Sequence, residues 1–342
     1  MTAPIPVIDL HCDTADRIAW QTLPADIRAT LNHDFYNLTD LANPAGCREL
    51  AQNHGHVSLE KIGSTPWAQC FACYIPDGLT PEQSIVFEAH VNDYMRDQLA
   101  INPQVKPART ADDVEGVLEA GGVCAIRTIE NARLFAADPA LVEALAADGL
   151  VMASLSWNAP GPLASGNDSH EGLSAIGAEV MSRMERSRVA LDVSHLNDES
   201  LADVLDRATR PLCASHSNSR TVCGHPRNLT DDQFRAVMAT GGVAGLNYCA
   251  GFIVEGAWSG DDAAGVTFEQ VAAHVEHWLD IGGEDAVALG GDLDGSTVPE
   301  FLDGADKVPA FQELLVSRFG REITEKICYR NAVAFLRRVQ EG

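Results

Sequence analysis

Residues 7–14 read VIDLHCDT, an apolar run that breaks at its end into a histidine and an aspartate two positions apart. Alone, the run is a buried strand with two polar groups at its tip that are costly to desolvate. Its repetition along the chain decides the fold. Runs rich in Val, Ile, Leu and Ala recur at 5–10, 67–74, 122–129, 150–155, 188–194, 211–215, 242–247 and 286–290. Between most of them lie segments such as PEQSIVFEAHVNDYMRDQLA, LSAIGAEVMSRMERS and TFEQVAAHVEHWLDIGG, with apolar residues at three- and four-residue spacing, the period of an amphipathic helix. Asn197, Thr230 and Thr267 supply start signals for three of them. Strands that are apolar throughout and alternate with helices predict a parallel sheet covered on both faces. Eight such units predict a (β/α)8 TIM barrel in the α/β class.

Residues 20–65 break the rhythm, with weak periodicity and several turn formers, and are expected to form an irregular excursion over the barrel mouth. No repeat, low-complexity tract or composition shift marks a second domain, so 1–342 is read as a single barrel domain. The 46% hydrophobic content suits a large buried core. Against 49 Asp and Glu stand 24 Lys and Arg, a net charge of -25, which repels nucleic acid and anionic membrane surfaces and attracts cations. The N-terminal stretch lacks a basic region followed by an apolar one, and no run reaches the ~20 apolar residues of a membrane span. A cytoplasmic location and no membrane partner are therefore expected. The nine cysteines sit mostly in apolar segments, as buried reduced thiols do; Cys70 and Cys73 form a C-x-x-C inside a strand-like run with no second pair nearby, which argues against a metal or redox role.

Active sites of this architecture form at the C-terminal ends of the strands. The first run ends at His11 and Asp13, the third runs into Glu130, the fifth ends in LDVSH at His195, the sixth in CASH at His216, and the eighth in GGD at Asp292. Any one of these is as well read as a cap or a satisfied polar group. Together, three imidazoles and three carboxylates at one mouth cost several kcal/mol per uncompensated ion unless a cation joins them. Imidazole with carboxylate and no thiolate suits zinc, manganese, iron or cobalt, zinc being the default for hydrolytic chemistry.

His33, His54, His56, His90, His170, His274 and His277 lie away from these ends and are read as surface or packing residues; His225, in CGHPRNLTDD, is read as either supporting the centre or structuring its loop. Asp292 and Asp294 in GGDLDG open like a calcium loop, but Asp303 stands where the bidentate glutamate belongs and a strand flanks one side. The chain has no G-x-S-x-G, G-x-x-x-x-G-K or G-x-G-x-x-G, which removes the common serine-hydrolase, P-loop and dinucleotide readings.

The ordered set H-x-D, GHVSLEKIGSTPWAQCFACYI, I-E, L-D-V-S-H, S-H-S-N-S-R, H-P-R-N-L-T-D-D and G-G-D-L-D-G resembles the renal (membrane) dipeptidase family of the amidohydrolase superfamily, from about residue 5 to residue 335. The resemblance implies two zinc ions, one on His11, Asp13 and Glu130, the other on Glu130, His195 and His216, with Glu130 bridging. It also implies that Arg227 takes the substrate's terminal carboxylate, that Asp292 transfers protons, that the substrate is dipeptide-like with tolerance for a D-residue at the carboxyl side, and that the chain forms a homodimer. The chemistry is consistent: two zinc ions roughly 3.5–4 Å apart share a water acidified to about neutral, giving a metal-bridging hydroxide, and a nearby carboxylate serves as general base and then general acid. An arginine is shaped to clamp a free carboxylate; the competing reading of Arg227 is a surface ion pair with Asp231 or Asp232.

Two departures fall in the substrate pocket. Trp157, in LSWN, stands where the family carries a histidine thought to steady the oxyanion, and an indole N–H donates one hydrogen bond but never becomes cationic. Tyr248 and Cys249 stand where the family often reads F-Y. Trp157 and Tyr248 are accordingly placed against the substrate. The two departures leave open other small substrates for the same centre, such as an N-acyl amino acid, a lactone or a cyclic amide, and a non-catalytic metal-binding barrel whose pocket Trp157 fills.

Overall fold

The computed structural model describes residues 4–31 and 49–341. Among the described residues nine strands form one parallel sheet: β1 (Val7–Cys12), β2 (Trp67–Tyr74), β3 (Val105–Pro107), β4 (Val123–Glu130), β5 (Leu150–Ser154), β6 (Ala190–Asp192), β7 (Leu212–Ala214), β8 (Val243–Leu246) and β9 (Val287–Leu289). The sheet closes because β2 pairs directly with β4, from Trp67 opposite Val123 to Tyr74 opposite Glu130, while β1 pairs with β9. The eight runs of the sequence are the eight barrel strands, and helices surround them, the (β/α)8 barrel predicted. The ninth strand, β3, lies beside the first half of β4; at three residues with a terminal proline it has no periodicity to betray it.

Ile8, Leu10, Ala68, Cys70, Cys124, Ile126, Met152, Ala190, Cys213, Val243 and Ala288 share one apolar cluster. They alternate along their strands and fill the barrel interior, as side chains do in a barrel of this size. The cluster continues into helix Asn331–Gln340 through Ala332, Phe335 and Leu336. A second cluster, with Val7, Cys12, Trp67, Phe71, Ile129 and Leu246, lies between the strands and the outer helices. Three of these helices start on a full capping box: Thr80 with Gln83, Thr110 with Asp113 and Thr230 with Gln233.

The expected excursion at 20–65 is only partly irregular. Residues 32–48, His33 among them, lie outside the described residues. Before them, Ala25–Leu31 is helical, burying Ile27 and Leu31 one turn apart; after them, Ser58 caps the short helix Leu59–Ile62. No helix among the described residues is long and apolar enough to cross a membrane, and the eight described cysteines are buried and unpaired.

Candidate metal centre

On β1 a strict two-residue alternation would put His11 on the same face as Val7, away from the interior. Ile8 and Leu10 face the interior, yet Cys12, two residues past Leu10, belongs to the outer cluster. The register slips between Asp9 and Cys12, so His11 is the extra residue of a bulge, and such bulges re-aim side chains next to active sites. The buried Asp9 carboxylate holds the bend by accepting from the His11 and Gly291 N–H groups. Glu130 needs no such device, since it follows Cys124 and Ile126 in period along β4. At other strand ends the backbone is twisted instead: His195, Asp292, Asp294 and Asn131, the residue after Glu130, all have positive φ, between 54° and 70°. Non-glycine residues held in this region concentrate at functional sites.

These distortions bring the six predicted strand-end residues together, all of them buried. His11 Nε2 lies 3.6 Å from Asp13 Oδ2 and 3.7 Å from Glu130 Oε2. Glu130 Oε1 lies 2.7 Å from His195 Nε2 and 3.5 Å from His216 Nε2. Donor atoms of His11, Glu130 and His216, and again of His11, Asp13 and Asp292, fall within 4.8 Å of one another. Asp292, read from the sequence as a proton carrier, is thus also within reach of a cation at the ligands.

The hydrogen bonds behind the imidazoles test whether a cation belongs there. His216 Nδ1 lies 2.7 Å from Ser215 Oγ, and Ser215 donates its own proton to Asp192. The serine oxygen therefore accepts from Nδ1–H, leaving the His216 Nε2 lone pair aimed at the centre. His195 Nδ1 is 3.0 Å from Asn158 Oδ1, which fixes the same tautomer. The two Nε2 atoms face each other at 2.9 Å, beside a carboxylate oxygen. Two lone pairs and an anion at these distances require positive charge between them, and the donor set fits a divalent transition metal with second partners of the usual kind.

Electrostatics agree. Burial lowers the pKa of His195 and of His216 well below the ordinary imidazole value, with nearby Arg227 and His11 adding to the effect, which favours the neutral form that a metal ligand needs. Burial works the same way on His11, but Glu130 and Asp13 override it and lift its pKa to about 10. Burial also raises Glu130, against His11, and brings Asp292 up to about 6 against His11 and Arg227. The cluster is short of positive charge.

Arg227 is 5% exposed. Its Nη1 donates to Ser217 Oγ at 2.8 Å, while Nε and Nη2 are buried with no hydrogen-bond partner among the described residues. The surface ion pair with Asp231 or Asp232 does not form: Asp231 binds His277 and Thr221, and Asp232 binds Arg235. Two unsatisfied donors on a buried guanidinium call for an anion.

Trp157 lines a cavity of about 420 Å³ with Asp13, Glu130, His195, Cys249, Phe252, Trp258 and Asp292, a volume in the range of small-ligand sites. The indole stands edge-on to Tyr74 and tilts toward His195; it forms a wall and leaves the pocket open. The placement of Tyr248 against the substrate needs correction. Its side chain is fully buried, packed on Phe311 and Gly291 outside the barrel, and Cys249 lines the cavity instead. Counting by twos from Val243, an interior residue, puts Asn247 inside and Tyr248 outside, a signal present in the sequence.

Asn247 is a further residue that the strand-end reading missed. Its Nδ2 donates to Asp292 Oδ2 at 3.2 Å and to the His216 carbonyl at 3.1 Å, and its Oδ1 accepts from Cys249 N. Asp192, Ser215, Ser217 and Asn158 are others. His225 structures its loop, with Nδ1 accepting from Arg227 N and the ring against Phe252 and Trp258. His274 is a core residue between Ser219 N and the Ile253 carbonyl. Asp294 binds Thr14, Arg17 and His56, which disposes of the calcium-loop reading. Gly295 passes so close that a Cβ there would lie 1.9 Å from Asp13 Oδ2 and 2.4 Å from Asp292 Oδ1. Gly295→Ala is expected to displace both carboxylates and lower metal content about tenfold or more at limiting metal, read by elemental analysis; full metal content in the variant would refute the close approach.

The membrane dipeptidase (peptidase family M19) model matches residues 1–342. An "Uncharacterized protein in pqqA 5'region" of Klebsiella pneumoniae is 31% identical over 239 residues, 67% of this chain and 87% of the relative. An uncharacterized dipeptidase of Schizosaccharomyces pombe is 29% identical over 63% of this chain and 51% of its own length. Among solved structures, a metallo peptidase from Rhodobacter sphaeroides, liganded with a phosphinate mimic of the dipeptide L-Ala-D-Ala, superposes with a TM-score of 0.81 at 26% identity, covering 98% of this chain and all of that one. An M19 metallo peptidase described as dipeptidase AC gives 0.79 at 27% identity, over 98% and 99%. A barrel whose strand ends gather imidazoles and carboxylates around a small-ligand cavity, matched along its whole length by one family model, belongs to the membrane dipeptidase family, M19, a family of metallo-dipeptidases.

Proposed function

We propose that the chain is a two-zinc dipeptidase that cleaves small dipeptides with a free carboxylate, including those with a D-residue at the carboxyl side. Arg227 carries this reading: a buried guanidinium with two unsatisfied N–H positions, beside the donor cluster, needs a carboxylate from outside the chain. His11, Asp13 and Glu130 would hold one ion, and Glu130, His195 and His216 the other. When bound, the pair supplies a water acidified to near neutrality and an electrophile for the scissile carbonyl.

The protein's own groups do the rest. Asp292, held by Asn247 Nδ2, accepts the proton of the attacking water and returns it to the departing amine. Ser217 fixes Arg227, so the substrate carboxylate is held in one place relative to the ligands. The Trp157 indole bounds the pocket on the His195 side. The D-residue tolerance is supported by the L-Ala-D-Ala mimic bound to the Rhodobacter relative.

The zinc-loaded protein is expected to hydrolyse L-Ala-D-Ala and L-Ala-L-Ala, to lose turnover on chelation and regain it with zinc, and to act about 10- to 10²-fold less well on the same dipeptides as C-terminal amides, since a charge-assisted pair contributes about 1.5–3 kcal/mol. Equal rates on acids and amides would remove Arg227 from the reading. Two bound metals with no dipeptide turnover would refute the dipeptidase proposal.

A further inference from the structure

We propose that Trp258, backed by Phe252, receives the side chain of the carboxyl-side residue, so that the enzyme selects dipeptides ending in a bulky apolar or aromatic residue. This rests on the assignment of Arg227 to the substrate carboxylate.

Trp258 is 47% exposed, on a wall of the cavity that holds the metal donors. The indole is nevertheless firmly seated. Phe252 meets it edge-on at 5.5 Å between ring centroids and His225 at 5.2 Å. Gly251 lies directly beneath, so close that a Cβ there would fall 2.3 Å from the indole Cε3. The Phe252 carbonyl accepts from Asn228 Nδ2 at 2.9 Å, tying this aromatic pair to the segment that carries Arg227. A large apolar ring fixed half in solvent at the rim of a small-ligand cavity is a contact surface awaiting an apolar partner.

Position decides which part of the substrate meets it. The Arg227 guanidinium carbon is 5.7 Å from the Phe252 ring centroid. A substrate whose carboxylate rests on Arg227 therefore turns the side chain of that same residue toward Phe252 and Trp258. The amino-side residue lies toward the imidazoles, near Trp157. Charge narrows the choice further. The acids among the described lining residues are Asp13, Glu130 and Asp292; Glu255, which acts on His225, is exposed and screened by solvent, so no carboxylate lines the wall to hold a basic side chain, and Arg227 repels one. An acidic side chain would compete with the substrate's own carboxylate for Arg227. Apolar bulk is what remains.

The test is kcat/KM of the zinc-loaded full chain on Ala-Ala, Ala-Leu, Ala-Phe and Ala-Lys, each with the second residue in L and D form. Ala-Leu and Ala-Phe are expected to exceed Ala-Ala by about tenfold or more, mainly through KM, with Ala-Lys lowest. Trp258→Ala should collapse the ratio of Ala-Phe to Ala-Ala toward one, and Gly251→Ala, which dislodges the indole without removing it, should do the same. Metal content equal to the parent's in both variants separates loss of the wall from loss of the centre. A flat wild-type series, or variants that lower Ala-Phe and Ala-Ala alike, would overturn the inference and leave the dipeptidase reading standing. No turnover of any member would overturn both.

Discussion

Glu130→Gln is expected to lower kcat/KM by ~10²–10⁴-fold and to reduce bound metal from the proposed two ions per chain to one or none. Glu130 lies within 4 Å of all three imidazoles: Oε2 faces His11, and Oε1 faces His195 and His216. Glutamine keeps the shape and removes the charge, so His11 loses its foremost anionic partner, and a divalent cation loses the anion shared between its two sets of donors. Removing one partner from a buried charge cluster costs about 3–5 kcal/mol, which at about 1.4 kcal/mol per tenfold gives the stated range. Elemental analysis with steady-state kinetics checks both halves. A variant that keeps two ions and near-parental turnover would show that Glu130 is not shared between the sites.

Asp292→Asn separates two roles that the geometry allows. Asp292 lies within ligand reach of His11 and Asp13 and is also held by Asn247, in the manner of a group positioned for proton transfer. As general base and acid it contributes about 10²–10⁴-fold. The expected result is a fall of that size in kcat with metal content intact and KM changed by only a few-fold. Loss of one ion in step with activity would make Asp292 an obligatory ligand and pass proton transfer to another group. Asn247→Ala should show a weaker version of the same kcat effect, because it frees the carboxylate without removing it.

The fold was legible because its signal is local. Each strand is an apolar run and each helix an apolar face, and both follow from side-chain spacing along the chain. The strand-end histidines and acids were legible for the same reason: polar groups at the tips of buried runs stand out wherever they occur. Strand β3 and the helix Ala25–Leu31 were not, the first because three residues hold no period, the second because Ile27 and Leu31 are a single turn of pattern within a turn-rich stretch.

By itself, then, the sequence determined the barrel and the residue types gathered at its mouth. Only the tertiary structure decided how they point. The bulge that turns His11 inward exists because Asp9 accepts from the N–H of Gly291, 282 residues away; the His216 tautomer is set from Asp192 through Ser215; and the positive φ of His195 and Asp292 breaks the alternation on which sequence reading depends. At β8, by contrast, the alternation runs on past the strand end, with Cys249 turned to the cavity and Tyr248 away from it, so that the placement of Tyr248 was already present in the sequence. Periodicity is fixed by neighbours a few residues away, whereas the direction of a side chain beyond the last pleat is fixed by hydrogen bonds between strands far apart in sequence, and these come into being only when the barrel closes.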